Sequence, residues 1–161
     1  MKKTLCFFLA FIFMLSLCAC RQNSQQIIAP ANFYYLTEPS NYQAKAITPE
    51  VRETAEVSGD LKALLQLYIN GPVSEDYINP FPKNITVLSV DVASTTASIQ
   101  LSNRFTQLSE ADMTSACACL TLTVLELTQR HRLTITSVDA FGNIIYTASM
   151  TKDHILLSDT D

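Results

Sequence analysis

The stretch Asp60-Leu61-Lys62-Ala63-Leu64-Leu65-Gln66-Leu67-Tyr68-Ile69-Asn70-Gly71-Pro72 opens the region that decides the fold, which runs on to Phe105. Asp60 is placed to cap a helix in which Leu61, Leu64, Leu65 and Tyr68 recur on one face, and Asn70-Gly71-Pro72 supplies its left-handed end and stop. From Pro72 to Asn84 the chain is a loop too rich in proline to pair regularly, with Tyr77 and Phe81 expected to pack over the edge of the core. At Ile85 the period changes to two. Leu88, Val90 and Val92 are expected to point one way and Ser89 and Asp91 the other; after a short turn, Ala97, Ile99 and Leu101 alternate with Ser98 and Gln100. This pattern predicts an antiparallel hairpin with one face on a core, closing at Leu101-Ser102-Asn103-Arg104-Phe105.

Downstream, Ser109 caps a second helix and Asp112 completes an acidic capping-box pattern. Met113, Ala116, Cys117, Leu120, Val124 and Leu127 mark its buried stripe. Arg132 to Val138 and Ile144 to Ala148 are β-rich runs joined through the turn Asp139-Ala140-Phe141-Gly142-Asn143, and His154 to Leu157 is expected to add a short edge element. Upstream, Phe33 to Thr37 reads as a strand closed by Glu38-Pro39-Ser40-Asn41, and Ala46 to Thr54 as a further extended piece because Thr48-Pro49 disfavours helix. The sum is an α+β fold: a small mixed or antiparallel sheet with two helices packed on one face.

The residues from Leu64 to Pro72, from Phe81 to Val92 and from Ala97 to Phe105 together resemble the GerM domain of sporulation and spore-germination lipoproteins. The second helix and the Arg132 to Val138 strand follow in that family's order, so the resemblance spans roughly Phe33 to Ala148. It implies an extracytoplasmic domain similar in topology to the ring-building modules of sporulation and secretion assemblies, with a scaffolding or binding role in the cell envelope. It carries no catalytic residues.

The N-terminus reads as an address and an anchor. Lys2 and Lys3 precede an apolar run from Leu5 to Leu17, the length of a signal-peptide core, whereas a spanning helix needs about 20 residues. Leu17-Cys18-Ala19-Cys20 then looks like a bacterial lipobox, with Cys20 as the lipidated residue; Cys18 fits less well because bulky Leu17 precedes it. An ordinary secretory cleavage after Ala19 would want a small residue where Leu17 stands. Two acyl chains at about 0.8 kcal/mol per buried methylene would hold the protein on a membrane. The expected organisation is therefore a lipoprotein signal peptide at 1–19, the lipidated cysteine and a flexible tether at 20–31, and the GerM-like domain at 32–161. The tether from Arg21 to Ala31 spans on the order of 20 Å.

Composition narrows the function classes. A net charge of -4 with scattered basic residues lacks the footprint of a nucleic-acid binder. With 3 glycines and 2 histidines, glycine-turn or imidazole chemistry has little material. Of the 5 cysteines only Cys117 and Cys119 lie in the domain, and residues two apart on a helix point about 200° from one another, so they share neither a metal nor a bridge. Cys117 reads as a core residue and Cys119 as the more exposed of the two. His131 is expected at the end of the second helix, complementing its dipole, and His154 in the tail. Asp139 reads as a turn residue, and Glu50, Glu53 and Glu56 with Arg52 as a solvated face. The reading is a non-enzymatic module without cofactor or metal, held to the cell membrane on its extracytoplasmic face. Its partner is another envelope protein or a second copy of itself, with sheet edges at Phe33 to Thr37 or His154 to Leu157 as candidate surfaces. The competing readings are an enzyme acting on envelope polymers, whose acidic or thiol groups only the fold would gather, and a small ligand-binding lipoprotein.

Overall fold

The computed structural model describes residues 30–38, 46–54 and 59–155. Strands β1 (Ala31–Thr37) and β2 (Ala46–Arg52) pair antiparallel, with Phe33 opposite Glu50 and Ala31 opposite Arg52. Helix α1 (Leu61–Ile69) comes next in the chain, its first turn capped by Asp60, whose carboxylate accepts from the Ala63 N–H at 3.0 Å. Asn70 is still right-handed, and the reversal falls on Gly71 at φ +125°. The left-handed backbone there favours glycine, and a Cβ would also lie 3.0 Å from the Asn79 side-chain amide and press on it.

The proline-rich loop does pair, contrary to the expectation from its composition: Tyr77–Ile78 forms a two-residue strand, β3, on Leu36 and Thr37 of β1. Two residues fit between the prolines, and Asn79 fixes the chain on leaving this strand, donating to the Ile69 carbonyl and accepting from the Phe81 N–H. Phe81 is buried in the core rather than at its edge.

A second, four-stranded sheet runs in the order β4-β5-β6-β7, from β4 (Val87–Val92), β5 (Thr96–Ser102), β6 (Arg132–Val138) and β7 (Ile144–Met150). The β4/β5 and β6/β7 pairs are antiparallel and β5/β6 is parallel, a crossover made by helix α2 (Glu110–Thr128) after a 3-10 turn at Asn103–Gln107. The α+β class stands, with the strands divided between two sheets. In β4 the register shifts between Val87 and Ser89, a bulge that changes the phase of the strand. Val87 is buried and Leu88 is exposed, which corrects the expected inward placement of Leu88. Val90 and Val92 keep theirs, opposite Ile99 and Ala97.

Helix α2 begins as its sequence suggests: Ser109 accepts from the Asp112 N–H and donates to its carboxylate. Its burial is broader than one stripe. Every residue from Ala116 to Leu125 is buried, because α2 packs on β1 of the first sheet and on β5 and β6 of the second. The free half of the β1 edge is sealed by side chains. The Tyr34 N–H donates to Thr123 Oγ1 at 2.9 Å and the Tyr34 carbonyl accepts from the Tyr68 hydroxyl at 2.7 Å, so these groups are satisfied without a strand. Since Tyr34 bonds away from β2, its partner Pro49 sits at a non-bonded position where the missing N–H costs nothing.

Candidate functional site

The densest polar constellation lies where β2 meets the turn after α1. Glu50 and Arg52, two apart on a strand, share the face that packs toward Phe33 and Tyr35. They form an ion pair with side chains only 8% and 9% exposed, which overturns the solvated-face reading. Glu50 Oε1 accepts from the Val73 and Ser74 N–H groups at 2.9 and 2.8 Å. Arg52 donates to the Tyr35 hydroxyl at 3.0 Å and to the Gly71 carbonyl at 2.6 Å, and its guanidinium lies 5.1 Å from the Phe33 ring centroid. Tyr35 in turn donates to the Tyr68 carbonyl, so the network ties β1, β2 and the end of α1 together. Burial pushes the Tyr35 and Tyr68 phenols far up, keeping both as neutral donors. Both Glu50 oxygens and the Arg52 Nε and Nη2 groups bond to the protein itself, so the arrangement is a clasp. Glu53 is exposed beside it, and Glu56 lies outside the described residues.

A second cluster lines an open groove of about 430 Å³ between the start of α2 and β7, formed by Glu110, Met113, Thr114, Cys117, Tyr146 and Met150. Cys117 Sγ lies 3.4 Å from the Tyr146 hydroxyl. Desolvation raises the Cys117 thiol, offset in part by that hydroxyl, and raises Tyr146. Cys119 is fully buried, its thiol pushed up to about 12, so the expectation that it is the more exposed cysteine is wrong. The first sheet covers the face of α2 that a single-sheet fold would leave open. Both thiols stay protonated at neutral pH and are poor nucleophiles.

The remaining candidates are local. Helix α2 ends at Thr128 with left-handed Gln129, so His131 stands past the last turn rather than in it; its backbone N–H donates to the Thr95 carbonyl. His154 accepts from the Thr151 N–H through Nδ1 in a 3-10 turn at Lys152–His154, where an edge strand was expected; Leu157 lies outside the described residues. Asp139 holds its turn as expected, accepting from the Phe141 and Asn143 N–H groups and the Asn143 side chain, and these donors lower its carboxyl. The stabilisation it lends β6/β7 is therefore full above the ordinary carboxyl value of 3.8 and is lost as pH falls through its lower folded value. In an acid titration followed by amide NMR, wild type should lose hairpin protection across that window, while Asp139→Asn should show no such step. Among the described residues no three His, Cys, Asp or Glu side chains gather as a metal site, and no helix is long and apolar enough to cross a membrane. Cys20 and the lipobox-like segment lie outside the described residues.

The exposed apolar side chains include Phe141, Ile144 and Ile145, at the turn and start of edge strand β7. The molecule thus offers a clasp, a groove and an apolar edge; where hydroxyls meet a carboxylate or imidazole, as at Ser109 with Asp112, Ser74 with Asp76 and Thr151 with His154, the pairs are two or three residues apart within a cap or turn.

Comparison with solved structures gives the tandem GerMN domains of the sporulation protein GerM from Bacillus subtilis, at 15% identity and TM-score 0.56, covering 71% of this chain and 42% of that one. The chain thus spans less than half the length of the tandem structure. The first GerMN domain of the same protein matches at 20% identity and TM-score 0.48, covering 68% of this chain and 83% of that one. No curated protein matches the sequence. The model of the Germane family, described as sporulation and spore germination, matches residues 32–139, from the start of β1 through the β6 strand, and the chain belongs to that family.

Proposed function

We propose that this protein is a membrane-anchored extracytoplasmic lipoprotein whose Germane domain binds or scaffolds other proteins of the cell envelope during sporulation or spore germination. The observation that carries the reading is the joining of a lipobox-like Leu17-Cys18-Ala19-Cys20 to a domain of this family within one short chain. Cys20 takes the lipid, and the partner is an envelope protein or a second copy. The non-catalytic role draws support from the two domain thiols, which burial keeps protonated, and from a buried carboxylate and guanidinium that bond only to the fold.

Fractionation of a spore-forming host tests it. The wild-type chain should sediment with membranes and incorporate labelled fatty acid, and Cys20→Ser should lose the label and leave the membrane fraction. Deletion should lower spore yield or germination, with Cys20→Ser reproducing the defect. Wild-type sporulation and germination in the deletion strain would refute the role, and unlabelled wild-type protein would refute the anchor.

A further inference from the structure

From the groove between α2 and β7 we infer a binding site for a soft monovalent d10 cation, Cu(I), held by the sulfurs of Met113, Cys117 and Met150. Met113 and Cys117 are four apart on α2 and so share a face, and Met150 reaches the same groove from β7. Thiolate and thioether donors select Cu(I) over the divalent ions that oxygen and imidazole hold. Three of the residues lining the groove carry sulfur, beside Glu110, Thr114 and Tyr146. Methionine has three rotatable side-chain bonds, so its sulfur can swing onto an ion without moving the backbone. One thiolate and two thioethers around Cu(I) make a neutral complex, which costs less to desolvate than a charged one. On binding, the Cys117 S–H bond breaks, its proton passes to solvent and an S–Cu bond forms; copper keeps its oxidation state. Tyr146, already 3.4 Å from the sulfur, can donate its hydroxyl hydrogen to the thiolate.

The test uses the full 161-residue chain with Cys6, Cys18 and Cys20 replaced by serine, leaving Cys117 and Cys119. Cu(I) buffered by bathocuproine disulfonate is titrated under reducing, anaerobic conditions, and thiolate-to-Cu(I) absorption is read alongside chelator competition. One ion per chain is expected. Cys117→Ser, Met113→Leu and Met150→Leu should each weaken binding by at least the roughly 10- to 100-fold that outer-shell supports of a metal site command. Cys119→Ala should leave affinity unchanged. Methionine to leucine conserves volume and keeps the fold, which circular dichroism checks for every variant. Unchanged affinity in the Met113→Leu/Met150→Leu double variant would reduce the site to a lone thiol and overturn the proposal. So would absence of binding, or an equal loss in Cys119→Ala.

Discussion

Replacing Glu50 with alanine is expected to destabilise the domain by about 3–5 kcal/mol, the range for removing one partner of a buried ion pair. The cause is what the substitution leaves behind. Arg52 remains with its side chain 9% exposed and without its counter-charge, and the Val73 and Ser74 N–H groups lose the carboxylate oxygen that accepts from both. Such a loss consumes much of a marginally stable domain. Urea unfolding followed by circular dichroism measures it. The double variant Glu50→Ala/Arg52→Met should recover a good part of the loss, because an apolar side chain of similar length can lie on Phe33 and Tyr35 where the guanidinium now rests. If Glu50→Ala shifted the midpoint no more than an exposed Glu53→Ala does, the clasp would not hold the fold.

Tyr68→Ala should cost a similar amount, about 3–5 kcal/mol, since it empties a fully buried aromatic site. Its ring lies 5.3, 5.0 and 5.2 Å from those of Phe33, Tyr35 and Phe81, so β1, α1 and the proline loop meet on it. Tyr68→Phe separates the hydroxyl from the ring: it retains the packing and removes the donor to the Tyr34 carbonyl, at a cost of about 1–3 kcal/mol for a group left unpaired. Equal losses for the two variants would mean that the hydroxyl alone carries the position. Native-state hydrogen exchange adds a spatial readout, because the Phe variant should lose protection first along the free edge of β1.

Patterns set within one element were legible in the sequence. Asp60, Ser109 and Asp139 act where their side chains reach backbone N–H groups two to four residues away, and Gly71 sits where the chain reverses. Features that depend on a neighbour were harder. The β4 bulge has no local signature, because Val87 and Leu88 are equally apolar and only pairing with β5 settles which turns inward. The closure of α2 on all sides did have a signal: no charged residue stands between Asp112 and Glu126, and a helix without a polar face is buried all round. The clasp ran against the hydrophobic pattern, since Val51 is 64% exposed while Glu50 and Arg52 turn inward. Charge counts suggested water for these two residues, but register with Phe33 and Ala31 placed them under the aromatic cluster. The groove escaped notice because Met113 and Met150 are 37 residues apart and look like ordinary core-facing positions.

The sealed edge of β1 has a mechanical consequence. Force applied at the N-terminal end of this strand, where residues 30 and 31 enter the domain, and directed along its axis meets the seven-residue ladder with β2 in shear. Thr123 and Tyr68 hold the opposite edge in the same direction. The bonds share the load and must yield together, whereas a strand peeled from its end would surrender them one at a time. The domain is therefore built to resist a pull at the point where its leading segment joins it.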